Sequence, residues 1–210
     1  MMVEQPERYT FQRSDLVGGH VVLDLVNTIA GRSSRATDWI DSYERMLEWA
    51  ALSDAFDPVA LHALARMSAA DLRAAARALT RLRELRESLY AVIVAVMRAE
   101  PAPERALAEV ERHVKEAVDA ARLTFSEHRA ALEVNVESSD LDYPKHLLAL
   151  SAFELLHALP LERTRECADE RCTWIFIDRS RSGQRRWCDM ATCGNRSKTR
   201  RHYERRRSAR

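Results

Sequence analysis

Four cysteines are the residues whose spacing speaks most directly of chemistry. They read Cys167-Ala-Asp-Glu-Arg-Cys172 and Cys188-Asp-Met-Ala-Thr-Cys193, with four residues inside each pair and fifteen between the pairs. Two short knuckles joined by a hairpin-length insert let four thiolates converge on one tetrahedral ion. Zinc accepts both the soft donors and the geometry. Four protein ligands leave no position open for water. The expected cofactor is therefore one structural Zn²⁺ held by Cys167, Cys172, Cys188 and Cys193. Paired disulfides are the alternative for clustered cysteines. Against them, Met1 to Leu16 is polar and lacks the apolar segment of a signal peptide. No run of about 18 apolar residues is long enough to span a bilayer. Reduced thiols, a cytoplasmic location and no membrane association are expected.

The metal knuckles precede a run of arginines. From Arg165 to Arg210 about 14 Arg and Lys face about 6 Asp and Glu, a surplus of about +8, while the rest of the chain carries about −7. An acidic body with a basic tail points to a polyanionic partner for the tail. After Cys193, Asn195 or Ser197 can cap a helix. Arg196, Arg200 and Arg207 fall near one line of that helix, with Lys198, Arg201 and Arg205 beside it. Like charges so placed destabilise an isolated helix. A four-thiolate zinc site of charge about −2 offsets one or two arginines, and phosphates would relieve the others. DNA is the expected partner. Arg185, Arg186, Asn195, Arg196, Lys198, Arg200, Arg201 and Arg205 are the expected contacts to phosphate or base edges. Between the knuckles, Thr173 to Asp178 alternates as a strand. Trp174 and Phe176 share one face, and Ile175 and Ile177 the other. The aromatics are expected to fill a miniature core.

The elements that position this module read as mainly α with a small β-hairpin. His20 to Ile29 is an apolar segment, helix or strand by periodicity alone. A helix is expected over 41–51. Asp57-Pro58 reads as a helix start, and Ser68 with Asp71 as a capping box opening a long helix over 69–98. Leu79, Leu82, Leu85, Leu89, Val92 and Val96 recur along that helix at helical steps, which makes it the spine. Pro101 and Pro103 precede another helix to about 121, with Leu107, Val110, Val114 and Val118 as its apolar positions. Leu123 to Phe125 and Leu132 to Val136 alternate as a hairpin, and Tyr9 to Gln12 could add an edge strand. Pro144 begins a last body helix, which Pro160 ends. The domains are then 1–164, a helical body, and 165–210, a ribbon or treble-clef-like finger. The short link 161–166 should hold them together.

The body shows no phosphate loop, nucleophile elbow or metalloprotease motif, and the protein is not expected to be an enzyme. The scattered histidines, His113 and His146 among them, read as surface or satisfied-core groups. Asp24, Asn27 and Thr28 interrupt an apolar segment, where burial demands partners. They are either a small-molecule pocket wall or inter-element hydrogen-bonding groups. Trp39 and Trp49 read as core.

Cys172-Thr-Trp-Ile-Phe-Ile-Asp-Arg-Ser, Arg185-Arg-Trp-Cys188 and Cys193-Gly-Asn-Arg196 closely resemble the CGNR zinc finger. Leu23-Asp-Leu-Val-Asn-Thr28 and Asp41-Ser-Tyr to Leu47-Glu-Trp49 resemble the ABATE domain that precedes it. The resemblance implies a bacterial, stress-induced transcription regulator: cysteine-bound zinc, a DNA-binding finger, and a body that senses an effector or assembles. A homodimer would double a small DNA-contacting surface. The alternatives are an RNA-binding protein, which would expose Trp174, Trp187 and Tyr203 for stacking, and a module docking on an acidic protein.

Overall fold

The computed structural model describes residues 9–32, 36–126 and 129–208. The segment left open between helix and strand is a helix, α1 (Val21–Val26), capped by the His20 ring. It is followed by a two-residue ladder, β1 (Ile29–Ala30) with β2 (Thr37–Asp38). Helix α2 (Tyr43–Ala50) starts where the Ser42 hydroxyl accepts from the Arg45 amide. Helix α3 (Pro58–Ala70) starts where Asp57 accepts from Val59, with proline in the first turn. Helix α4 (Leu72–Met97) is capped by Asp71, which accepts from the Ala74 amide. Ser68 does not cap it. That residue lies inside α3, with its hydroxyl turned back to the Ala65 carbonyl. Tyr9 to Gln12 forms no strand either. The Tyr9 ring stacks on Trp39 with centroids 4.2 Å apart. The Gln12 amide donates to Asp15, opening a single 3₁₀ turn.

The long helix is the spine. It packs against α1, α2 and α3, and against α5 (Glu104–Ala120) and α7 (Tyr143–His157). Leu79, Leu82, Leu85, Leu89 and Val92 are buried, while Val96 has reached the surface. On α5 the buried stripe differs from the expected one. Ala106, Val110, His113 and Ala117 face inward, and Leu107 and Val118 are exposed. Alanines let α5 approach α4 and α7 closely, which larger residues would prevent. The inward turn also buries His113 beside an ion pair: Lys145 Nζ donates to Glu116 over 2.7 Å. Burial, with Arg112 and Lys145 nearby, pushes His113 down to about 4. Burial opposes the charge on Glu116, but hydrogen bonds from Lys145 and Arg112 hold it at about 2.

One arginine ties the spine to the small ladder. Arg86, almost fully buried, donates to both Asp38 oxygens over 2.9 and 2.7 Å and to Thr28 Oγ1 over 2.9 Å. Beyond α5 the expected hairpin forms from β3 (Arg122–Ser126) and β4 (Arg129–Glu133). It ends earlier than the alternation suggests, because Asn135 caps a short helix, α6 (Val136–Ser139), by accepting from the Ser138 amide. After α7 the chain enters the C-terminal module through β5 (Thr164–Glu166), paired with β6 (Ile175–Ile177). It ends in a π-helical turn (Met190–Gly194) and α8 (Asn195–Ser208).

Strand β6 belongs to two cores. Ile175 and Ile177 join the body's apolar core with α1, while Trp174 and Phe176 pack with the four cysteines. Burying two isoleucines contributes about 1.5–3 kcal/mol each, as an upper bound. The opposite face of the junction is made by Gly18. Its carbonyl accepts from the Ile177 amide over 2.9 Å, and its amide donates to Asp24 over 2.8 Å. A Cβ at Gly18 would stand 2.7 Å from the Leu23 Cβ. Only glycine lets the backbone pass this close to α1.

Candidate functional site

Cys167 and Cys172 sit on the first knuckle. The Cys167 amide donates to the Trp174 carbonyl, the Ala168 amide to the Arg186 carbonyl and the Cys172 amide to the Asp169 carbonyl, each over 2.8 Å. Cys188 follows the loop that Asp178 organises by accepting from the Ser180 and Arg185 amides at 2.9 and 2.7 Å. The neighbouring Ser180 hydroxyl, together with those two amides and the Arg185 charge, holds the Asp178 carboxyl down to about 2. The π-helical turn delivers Cys193, because Asp189 accepts from the Thr192 amide over 2.8 Å.

All four cysteines are buried, and their sulfurs lie within 4.8 Å of one another. Cys172 Sγ is 3.6 Å from Cys188 Sγ, which is 3.6 Å from Cys193 Sγ. A disulfide needs about 2.05 Å, and the cysteines are free. A tetrahedron of thiolates at about 2.3 Å from zinc has edges of about 3.8 Å. The donor set and its spacing fit one metal ion and leave no gap for a solvent ligand. The Cys188 amide lies 3.5 Å from Cys167 Sγ, where it can donate to a charged sulfur.

A family model described as CGNR zinc finger matches residues 163–206, and one described as ABATE, "Putative stress-induced transcription regulator", matches residues 19–159. The chain belongs to the ABATE family. A search of curated proteins finds no match. The two matched regions of this ABATE protein point to a regulatory role, and its four cysteines bind one zinc ion. Among the described residues of the ABATE protein, no helix is long and apolar enough to cross a membrane.

The basic residues separate into two groups. Arg196 and Arg200 face Asp169, whose carboxylate is fully buried beneath them: Nη1 of each lies 3.2 and 3.6 Å from its oxygens. They root α8 on the first knuckle. Arg185 is half-buried, over the Phe176 ring at 4.6 Å and donating to the Cys188 carbonyl. Arg186 and Lys198 are exposed, as are Arg206 and Arg207 further along α8. Asn195 donates to the Ala191 carbonyl over 3.0 Å and opens the helix. The side chains of Arg201, Tyr203 and Arg205 lie outside the described residues.

Asp24, Asn27 and Thr28, which the sequence left open between pocket wall and inter-element hydrogen-bonding groups, make hydrogen bonds that tie elements together. Asn27 Nδ2 donates to the Ile175 carbonyl and its Oδ1 accepts from the Ile175 amide, both at 2.9 Å. The Thr28 hydroxyl donates to the Leu25 carbonyl over 2.7 Å and accepts from Arg86. Burial raises the Asp24 carboxyl to about 6, against the lowering effect of the Gly18 amide and the Arg179 charge. Trp49 is core. Trp39 is half-buried and bridges the units, stacked on Tyr9 and edge-on to Trp174 at 5.3 Å. Sequence reasoning missed Asp169 as the anchor of the basic helix. Its signal was available: an acidic residue inside the knuckle, in a module with few acids and many arginines.

Proposed function

We propose that the protein is a DNA-binding transcription regulator whose zinc-braced helix α8 contacts duplex phosphates. One observation carries this reading: Asp169 balances the arginines at the root of α8, while Lys198, Arg206 and Arg207 extend beyond it into solvent. A helix of about ten ångströms' diameter fits the major groove, and clustered cations on it gain affinity by releasing counterions. Arg186, exposed on the loop before Cys188, adds a second approach to the backbone. Trp174 is buried and Trp187 half-buried. Neither tryptophan is offered as an open stacking platform, which supports duplex DNA over single-stranded RNA, while the Tyr203 side chain lies outside the described residues.

In this reading the protein carries out no reaction of its own. The body holds the finger in a fixed orientation through Asn27, Gly18 and the shared strand β6. Asp24, Asn27 and Thr28 are structural, and an effector would have to bind elsewhere.

The test is a mobility-shift assay on genomic fragments, with wild type and a Lys198→Ala/Arg206→Ala/Arg207→Ala variant. Wild type should retard fragments at low salt. The variant should bind more weakly to all sequences, with its salt slope reduced by about 1 per lost phosphate contact. Failure of wild type to retard any fragment at low salt overturns the reading.

A further inference from the structure

The β3–β4 hairpin leaves an apolar face uncovered. Leu123 stands opposite Leu132 and Phe125 opposite Ala130 in the ladder, so all four share one face. Leu123 is 71% exposed, Phe125 78% and Leu132 43%. A two-stranded ribbon is marginal alone in water. An apolar one with open edges is a template for another strand. Among the described residues β4 is paired with β3 alone, so its outer edge is open.

The sequence of that edge identifies the strand it would take. β4 reads Arg129-Ala130-Ala131-Leu132-Glu133, with opposite charges at its ends and a small residue at its centre. Antiparallel pairing about a two-fold axis through Ala131 puts position 129 of each copy opposite position 133 of the other. Arginine then meets glutamate twice, and Ala130 meets Leu132 twice. The two Leu132 residues become diagonal neighbours on the apolar face. The same operation on β3, Arg122-Leu-Thr-Phe-Ser126, sets arginine against serine and has no such match.

We infer that β4 is a self-association edge, at which two copies of this chain join into one four-stranded antiparallel sheet. The interface is isologous, each contact occurring twice. It uses no residue of the finger, so it stands or falls separately from the DNA-binding reading.

Sedimentation velocity of the zinc-loaded full chain over a concentration series tests this. Wild type should show a monomer–dimer equilibrium. Arg129→Glu alone and Glu133→Arg alone each place two like-charge pairs across the seam. Each should weaken dimerisation about tenfold or more. An equimolar mixture of the two variants restores opposite charges at every pair and should recover the dimer as a heterodimer. Far-UV circular dichroism and zinc content should match wild type for both variants, which shows that the fold is intact. A wild type that stays monomeric overturns the inference. So does a dimer insensitive to both reversals, or a mixture that fails to reassociate.

Discussion

The carboxamide of Asn27 occupies the place that a neighbouring strand would take beside Ile175, donating to its carbonyl and accepting from its amide at 2.9 Å each. Both partners are buried. Asn27→Ala should cost about 2–4 kcal/mol, because two buried backbone groups lose their partners. Asn27→Asp should cost more: a carboxylate cannot donate to the Ile175 carbonyl. Urea unfolding measures both. A loss under about 0.5 kcal/mol for Asn27→Ala would show that the clamp is ornamental.

Metal analysis should find one zinc ion per chain, and chelation should be felt in both parts of the molecule. β6 carries Phe176 toward the cysteines, with Trp174 just before it, and Ile175 and Ile177 toward the body. Stripping the metal, or making Cys193→Ser, should therefore unfold the finger and also lower the thermal midpoint of the body. Near-UV circular dichroism and a melting curve report the two effects. A body transition that does not move on chelation would contradict the shared strand.

Asp24 predicts an unusual pH response. Its folded carboxyl lies at about 6, above its ordinary value of 3.8. Its contribution to stability is complete below the unfolded value and is lost as pH rises through about 6. Asp24→Asn keeps an acceptor for the Gly18 amide. It should be more stable than wild type at neutral pH by about 1–3 kcal/mol, with the gap closing toward pH 4. His113 acts in the opposite sense. Burial holds it at about 4, below its ordinary 6.5. Its contribution is present above 6.5 and is lost as pH falls through 4. Unfolding free energies measured from pH 4 to 8 separate the two, and an Asp24→Asn gap independent of pH would refute the first.

Arg86→Lys should destabilise the body by about 1–3 kcal/mol. Lysine cannot reproduce the two-pronged contact with half-buried Asp38 and also reach buried Thr28, so part of the network of Arg86 would be lost. Equilibrium denaturation suffices; a change under about 1 kcal/mol would mean that solvent reaches the pair.

Local patterns made much of this legible. Helical steps of leucine marked α4, Asp57-Pro58 marked α3, and cysteine spacing marked the metal centre, since each depends on neighbours in sequence. The alternation from Trp174 to Ile177 divided its faces correctly for the same reason. What failed depended on distant partners. Nothing near Leu107 and Val118 says that α5 must turn its alanines inward to meet α4 and α7. For Asp24, Asn27 and Thr28 the sequence left a pocket wall and inter-element hydrogen bonding both open, and could not name the partners Gly18, Ile175 and Arg86. Asp169 sits in the first knuckle and the arginines of α8 follow the second, so their pairing is visible only once the metal site has folded.

That Ile175 and Ile177 complete the body's core has a consequence for how the molecule is made. The body helices are synthesised first, and the face of α1 that receives these side chains waits until residues 175–177 have left the ribosome. A newborn chain paused before that point is sticky where the finished one is dry. Premature termination before Ile175 should yield aggregates and not a stable half-protein.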